Sequence, residues 1–209
     1  METAKKANPI YFFGIVLVMV TIIAYTFTDT GVKENYEEQV LKFRTENERF
    51  FREQQGSPIE DKTSFRGLDY FEPSAEYRIL AVLERITTGD SVMMQMSDGK
   101  KETYGKYAHA TFQLGGKSHR LLLLKHAEDE KLFLPFADQT NGFDTYGGGR
   151  YLDLTPERDL DKLMIDFNFA YNPYCAYNKN YSCPLPPRGN FLNVEIRAGE
   201  KDYSRPEKK

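Results

Sequence analysis

The sequence predicts a mainly β domain of α+β type, a small antiparallel barrel or sandwich with one or two helices, behind an N-terminal transmembrane helix. Three features carry that expectation. No charged residue lies between Lys6 and Asp29, so Pro9 to Thr28 is an apolar stretch of about the ~20 residues that a bilayer crossing needs. From Glu76 onward apolar residues recur at every second position, in short runs broken by Gly, Asp and Ser. After Leu134 the chain fills with Gly, Pro, Asn, Asp and Tyr, which favour turns and irregular loops over long helices.

The 209 residues leave room for one extracytoplasmic domain of roughly 150 to 180 residues behind the span. A net charge of -3, with 28 bases against 31 acids, provides no global field for nucleic acid, and no nucleic-acid partner is expected.

Residues 1–8 form a short N-terminus and 9–28 a signal anchor. Lys5 and Lys6 precede the span while Asp29, Glu34, Glu37 and Glu38 follow it, which leaves the N-terminus in the cytoplasm and the main domain outside. The chain is thus expected to be a single-pass protein of the cell envelope. A cleaved signal peptide, giving a secreted or periplasmic protein, has the same polarity, but Ala24-Tyr25-Thr26-Phe27-Thr28 lacks an Ala-x-Ala site.

Residues 33–55 place Tyr36, Val40, Phe43, Phe50 and Phe51 at helical spacings among charged residues, predicting an amphipathic helix that Gly56, Ser57 and Pro58 end. The β-rich domain then spans 56–200, with Phe65, Leu68, Tyr70 and Phe71 plugging its core from a loop. Strands are predicted at 77–86, 91–96, 103–114, 118–126 and 131–136. A two-residue turn at Gly115-Gly116 registers one hairpin, pairing Leu114 with Lys117, Phe112 with His119, Ala110 with Leu121 and His109 with Leu122. Ala110, Phe112, Leu114, Leu121 and Leu123 then share the core face. In that register His109 and His119 oppose each other across the sheet, and His126 lies ~13 Å beyond Leu122, so no metal site is expected. Thr155-Pro156 predicts a short helix through Lys162, 164–170 and 190–198 predict two further strands, and 201–209 is a polar tail.

Several blocks resemble a known family. Phe136-x-Asp138-x-Thr140, the run from Thr145 to Asp153, Asp166-Phe167-Asn168-x-Ala170-Tyr171-Asn172-Pro173-x-Cys175-Ala176-Tyr177, Cys183-Pro184-x-Pro186-Pro187 and Ala198-Gly199-Glu200 are similar to the signature blocks of domain-of-unknown-function family 1684. The resemblance runs from about Tyr36 to Glu200. It implies a bacterial, β-rich domain, and it assigns no activity, no cofactor and no role to any residue.

Thr145-Tyr146-Gly147-Gly148-Gly149-Arg150 is the foremost candidate ligand contact. Consecutive glycines can gather backbone N–H groups into an anion nest, and an arginine grips carboxylate or phosphate through two hydrogen bonds. The competing reading is a tight connection whose arginine pairs with Asp153 or Asp166. Asp138, Asp166 and Asn168 are expected to orient the ligand, with Tyr146, Tyr171 and Asn172 at the walls. Asn168, Asn172, Asn190, Tyr146, Tyr151, Tyr171 and Tyr177 together form either a buried polar network or the lining of a pocket. Cys175 and Cys183, eight positions apart with prolines around them, predict a local disulfide; a cysteine nucleophile and reversible redox pairing remain as alternatives, and zinc would need further ligands. The function expected is recognition of a small polar or anionic ligand. The alternatives are a hydrolase or transferase with Asp138 or Asp166 as base, and a structural envelope module in which Arg150 is fully paired and no useful pocket exists.

Overall fold

The structure, a computed structural model, describes residues 18–21, 36–126, 130–156 and 161–203. It divides into two compact units, Met1–Lys42 and Phe43–Lys209. The described residues of the first, 18–21 and 36–42, are helical. Apart from 18–21, the expected span 9–28 lies outside the described residues, as do the N-terminus 1–8 and the end of the tail. Among the described residues no helix is long and apolar enough to cross a membrane.

The second unit opens with helical residues 43–53. The last turn is closed from outside: Ser57 Oγ donates to the Phe51 carbonyl at 2.8 Å, and Lys62 Nζ donates to the carbonyls of Phe51 and Gln54 at 2.8 and 2.9 Å. These groups satisfy carbonyls that a helix end leaves without partners. Phe43 meets Phe169 edge-on, and Phe51 packs with Ile59 and Phe65 in a small cluster of its own.

Eight strands follow: β1 (Arg78–Arg85), β2 (Ser91–Gln95), β3 (Lys101–Leu114), β4 (Lys117–Lys125), β5 (Leu132–Asp138), β6 (Arg150–Leu154), β7 (Lys162–Asp166) and β8 (Phe191–Leu192). Their order is β6-β5-β4-β3-β1-β7, antiparallel throughout, with β2 also on β3 and β8 parallel to β5. β1 and β2 lie end to end along the same edge of β3, since Arg85 pairs with Ala108 and Ser91 with Gly105. Between those pairs the β3–β4 register shifts at Tyr107, whose carbonyl accepts from Ile86 N at 2.9 Å. A bulge there bends both neighbours and increases the local twist.

Core-facing residues of β1, β3, β4, β5, β6 and β7 all meet in one cluster. In a flat sheet the outer strands of that order would stand about 24 Å apart at ~4.8 Å per strand, too far for side chains to share a core. The sheet is instead curled into an antiparallel half-barrel around Ala110, Phe112, Leu121, Leu134, Phe136, Leu152, Ile165 and Phe167. The opposite face of β2, β3 and β4 carries a second apolar cluster, Met94, Tyr104 and Leu124, with Phe133 of β5 packed on it.

The predicted hairpin register is present at every pair named above, around Gly115 and Gly116 with φ 57° and 71°. The predicted strand at 164–170 is cut short: β7 stops at Asp166, whose carboxylate accepts from Asn168 N and opens a 3-10 turn at Phe167–Phe169. The predicted strand at 190–198 shrinks to Phe191–Leu192, although its inward alternation persists at Leu192, Ile196 and Ala198. The short helix predicted through Lys162 cannot reach that residue, which pairs with Val82 as the first residue of β7; residues 157–160 lie outside the described ones.

The register makes a direct prediction. Leu121 is fully buried whereas its neighbour Arg120 points out to Glu84 at 2.7 Å. Leu121→Ala should cost about 2–5 kcal/mol and Arg120→Ala about 0–1 kcal/mol in urea unfolding; equal costs would refute the assigned faces.

Candidate functional site

Arg150, at the start of β6, is 0% exposed. Its Nη2 donates to Asp138 Oδ2 at 2.9 Å and to the Ile196 carbonyl at 2.8 Å, and its Nη1 donates to the carbonyls of Ala198 and Glu200. Carbonyls at 196, 198 and 200 repeat with the period of a strand, so the guanidinium serves that stretch as a neighbouring strand would. Burial works against the arginine's charge, and Asp138 beside it opposes that effect. Asp138 Oδ1 meanwhile accepts from Thr140 N, Thr140 Oγ1 and Ile196 N, and Thr140 Oγ1 meets Thr145 Oγ1 at 2.8 Å. Asp138, Thr145 and Arg150 therefore form an internal clamp and present no atoms to a ligand. The arginine is paired internally through Nη1 and Nη2, with Asp138 in place of Asp153 or Asp166, while its buried Nε has no hydrogen-bond partner among the described residues.

The glycine run is not an anion nest either. Of its three residues only Gly149 has positive φ, at 90°, and a Cβ there would stand 2.7 Å from the Phe136 carbonyl and 2.6 Å from Pro186. Gly149 is glycine because Pro186 and β5 close over it. Gly147 is exposed on the approach to that contact, and Gly148 is half-buried against the Tyr146 ring.

Asp166 and Asn168 are likewise absorbed. Asn168 exchanges hydrogen bonds with the Ser74 backbone at 2.9 and 2.8 Å and donates to Asp166 Oδ1 at 2.9 Å. Asn190 fills the gap where β4 and β5 share a single pair, Leu124 with Phe133: its amide accepts from Leu122 N and donates to the carbonyls of Leu122 and Pro135. Two of the predicted asparagine and tyrosine group, Asn168 and Asn190, thus belong to a buried network.

Tyr151, Tyr171, Asn172 and Tyr177 of the same group line a cleft of about 700 Å³, within the size range of small-molecule sites. Its floor is the outer face of β5 and β6, where Phe133, Tyr151 and Asp153 point away from the core, together with Tyr104 of β3. Phe50 and Phe51 of the helix form one wall, and Tyr174, Tyr177 and Tyr181 form another. Tyr171 joins the free edge of β6 through a two-bond bridge to Tyr151 at 2.9 and 3.1 Å. Of the residues expected to bind ligand, Tyr171 and Asn172 lie in this cleft.

Two buried polar groups stand in the lining. Glu200 Oε2 accepts from Asn172 N at 3.1 Å and Oε1 from the Tyr177 hydroxyl. Burial pushes its carboxyl up to about 7, against the hydrogen bonds from Tyr177 and Asn172 that favour the charge. The orientation of the Asn172 amide is set by Nδ2, which donates to the Lys201 carbonyl at 2.7 Å. That leaves Asn172 Oδ1, also buried, with no hydrogen-bond partner among the described residues. Tyr151, by contrast, spends its hydroxyl on the Pro184 carbonyl at 2.6 Å and offers the cleft its ring.

Cys175 and Cys183 are free thiols here, in place of the expected disulfide, and Cys183 lines the cleft. They are adjacent: Cys175 N donates to Cys183 Sγ at 3.1 Å, and the Tyr146 hydroxyl donates to Cys175 Sγ at 3.7 Å. Tyr146 is therefore tied to the thiols. Among the described residues no three His, Cys, Asp or Glu side chains gather as a metal site.

Glu200 was not read from the sequence as a site residue, although Ala198-Gly199-Glu200 stood among the family blocks. A single glutamate after a half-buried run gives no periodic signal. Its burial follows from Arg150 holding its carbonyl, a contact fifty positions apart in the chain. Phe50, Phe51, Tyr104 and Phe133 carry only the signal of ordinary apolar positions.

Two outcomes follow from this geometry. Gly149→Ala should destabilise by more than about 2 kcal/mol, whereas Gly147→Ala, with no neighbour nearer than 3.8 Å, should fall within about 1 kcal/mol; melting temperatures check both. Glu200 has its folded pKa raised from 4.5 to about 7, so its protonated form contributes stability that is fully present below pH 4.5 and lost as the pH rises through 7. Glu200→Gln should flatten that dependence, removing a decline on the order of 3 kcal/mol between pH 4 and 8, as read by denaturant unfolding across pH.

No curated protein matches the chain. Among solved structures, the solution NMR structure of an uncharacterized protein from Haloarcula marismortui is 41% identical, covers 84% of this chain and 99% of its own, and superposes with a TM-score of 0.67. The family model described as protein of unknown function (DUF1684) matches residues 63–201, which take in β1 through β8, the Asp138–Arg150 clamp and most of the cleft. The chain belongs to that family.

Proposed function

We propose that this protein is a membrane-tethered binding module that takes up a small organic ligand in the aromatic cleft. The observation that carries the reading is the pairing of aromatic walls with buried acceptors, Glu200 and Asn172 Oδ1, in one cleft of about 700 Å³. Small-molecule sites have this composition: mostly apolar lining with a few placed polar groups. Because those groups accept, the ligand that fits is one with an aromatic or apolar body and an N–H donor, such as a protonated amine, which the tyrosine faces also favour. An anionic ligand loses its support, since that expectation rested on Arg150. The tether rests on the uncharged stretch Pro9–Thr28 behind Lys5 and Lys6, and it places the module outside the cytoplasm.

The catalytic alternative loses its proposed bases, because Asp138 and Asp166 are held in hydrogen bonds away from the cleft. The structural-module alternative required a fully paired Arg150 and the lack of a pocket; the guanidinium is paired through Nη1 and Nη2 but not Nε, and a cleft of about 700 Å³ is present.

The test is a titration of the isotope-labelled full chain in detergent with benzylamine and with benzoate. Benzylamine should shift the resonances of Tyr171, Asn172 and Tyr174, and benzoate should not. Tyr174, 37% exposed, can be removed at little structural cost; Tyr174→Ala should weaken binding about tenfold and leave the melting temperature nearly unchanged. A panel of aromatic amines that moves no cleft resonance would sink the proposal.

A further inference from the structure

We propose that Cys175 and Cys183 form a reactive dithiol in which Cys175 is the attacking thiolate and Cys183 the resolving thiol, converting reversibly to a disulfide by exchange with an incoming disulfide. The placement does not depend on what the cleft binds. Cys175 lies in the 3-10 turn Tyr174–Ala176 directly after Pro173, and its own amide points at Cys183 Sγ. Cys183 is fixed from the far side of the loop: its N–H donates to Ser97 Oγ at 3.0 Å, and its carbonyl accepts from Ser97 N at 2.8 Å. Ser97 follows β2, so one thiol is anchored to the sheet and the other sits on a short turn facing it.

The surroundings divide the roles. Cys175 Sγ accepts from the Tyr146 hydroxyl at 3.7 Å, a donor that favours its charged form, while Ser97 Oγ is directed at the Tyr181 carbonyl at 3.4 Å. Cys183 beside it is the foremost cause that holds Cys175 down to about 6, while Cys183, with Cys175 as its partner, is pushed up against the Cys175 amide that favours its charge. The other titratable groups facing the pair, Tyr146 and Tyr151, are raised mainly by burial and keep their protons. Cys175 is also the more accessible of the two, intermediate in burial where Cys183 is buried. A low-pKa, accessible thiol beside a protonated one is the arrangement that thiol–disulfide exchange uses.

The exchange balances without a further reactant. Cys175 thiolate attacks one sulfur of a disulfide R–S–S–R, that S–S bond breaks, and RS⁻ leaves and takes up a proton. Cys183 loses its proton and attacks Cys175 Sγ in the mixed disulfide, forming the Cys175–Cys183 bond and releasing the second RS⁻. Two electrons pass from the protein to the incoming disulfide, which departs as two thiols. The reverse reaction needs a thiol reductant. The loop closed in this way carries Tyr177 and Tyr181, part of the cleft wall.

The experiment equilibrates the reduced full chain in detergent with glutathione and glutathione disulfide at graded ratios, quenches with acid, alkylates, and reads the intact mass. The wild type should pass from two alkylated thiols to none in a single transition. Cys183→Ala should accumulate one glutathione adduct at Cys175, and Cys175→Ala should take up glutathione at least tenfold more slowly. Tyr146→Phe should slow iodoacetamide alkylation of Cys175 at pH 6.5 by roughly threefold to tenfold. A wild type that keeps both thiols alkylatable in excess glutathione disulfide would overturn the proposal whatever the variants do. Equal adduct formation at Cys183 in Cys175→Ala would overturn the assignment of roles.

Discussion

The buried pair of Arg150 and Asp138 organises the molecule. Asp138 is the last residue of β5 and Arg150 the first of β6, so the pair closes the excursion between them. The same guanidinium then collects the carbonyls of Ile196, Ala198 and Glu200, and Asp138 takes the amide of Ile196. A stretch outside the named strands is thereby held to the sheet through side chains. Removing either partner would leave the other charged and buried, a loss of about 3–5 kcal/mol that exceeds what most single contacts supply.

A sheet has two faces, and this one uses them differently. The inner face of the half-barrel is filled by aliphatic and aromatic residues from seven strands, every one but β2. The outer face is dry only around Met94, Tyr104 and Leu124; further along β5 and β6 it becomes the floor of the cleft. Helical residues 43–53 and the chain from Tyr171 to Pro184 stand over that floor without filling it. Alternating strand residues decide what points into the cleft at its base, and short turns carry the tyrosines of the 174–181 wall.

The hairpin was legible because a period of two and a Gly-Gly turn admit one register, and a slip by one residue would have exposed Leu121 and Leu123. The loop cluster was less so. Asn168 and Asn172 are the same residue type four positions apart, yet one holds Ser74 and the other faces the cleft. Only the path of the chain decides between them. Arg150 is ambiguous in the sequence for the same reason: a glycine-rich approach to an arginine suits an anion site and a buried clamp equally, and the partners that settle the matter lie 12 and 46 or more positions away. The strand at 190–198 was half legible, since its alternation is real while the neighbour it pairs with is a side chain.

Glu200 belongs to both halves of this design. Its carbonyl accepts from the Arg150 clamp, its amide donates to the Ala170 carbonyl, and its carboxylate faces the tyrosines of the cleft. A molecule that holds this carboxylate in one ionisation state acts at the same moment on the folding equilibrium of the whole domain. Thermal stability measured across pH thus becomes a label-free gauge of cleft occupancy.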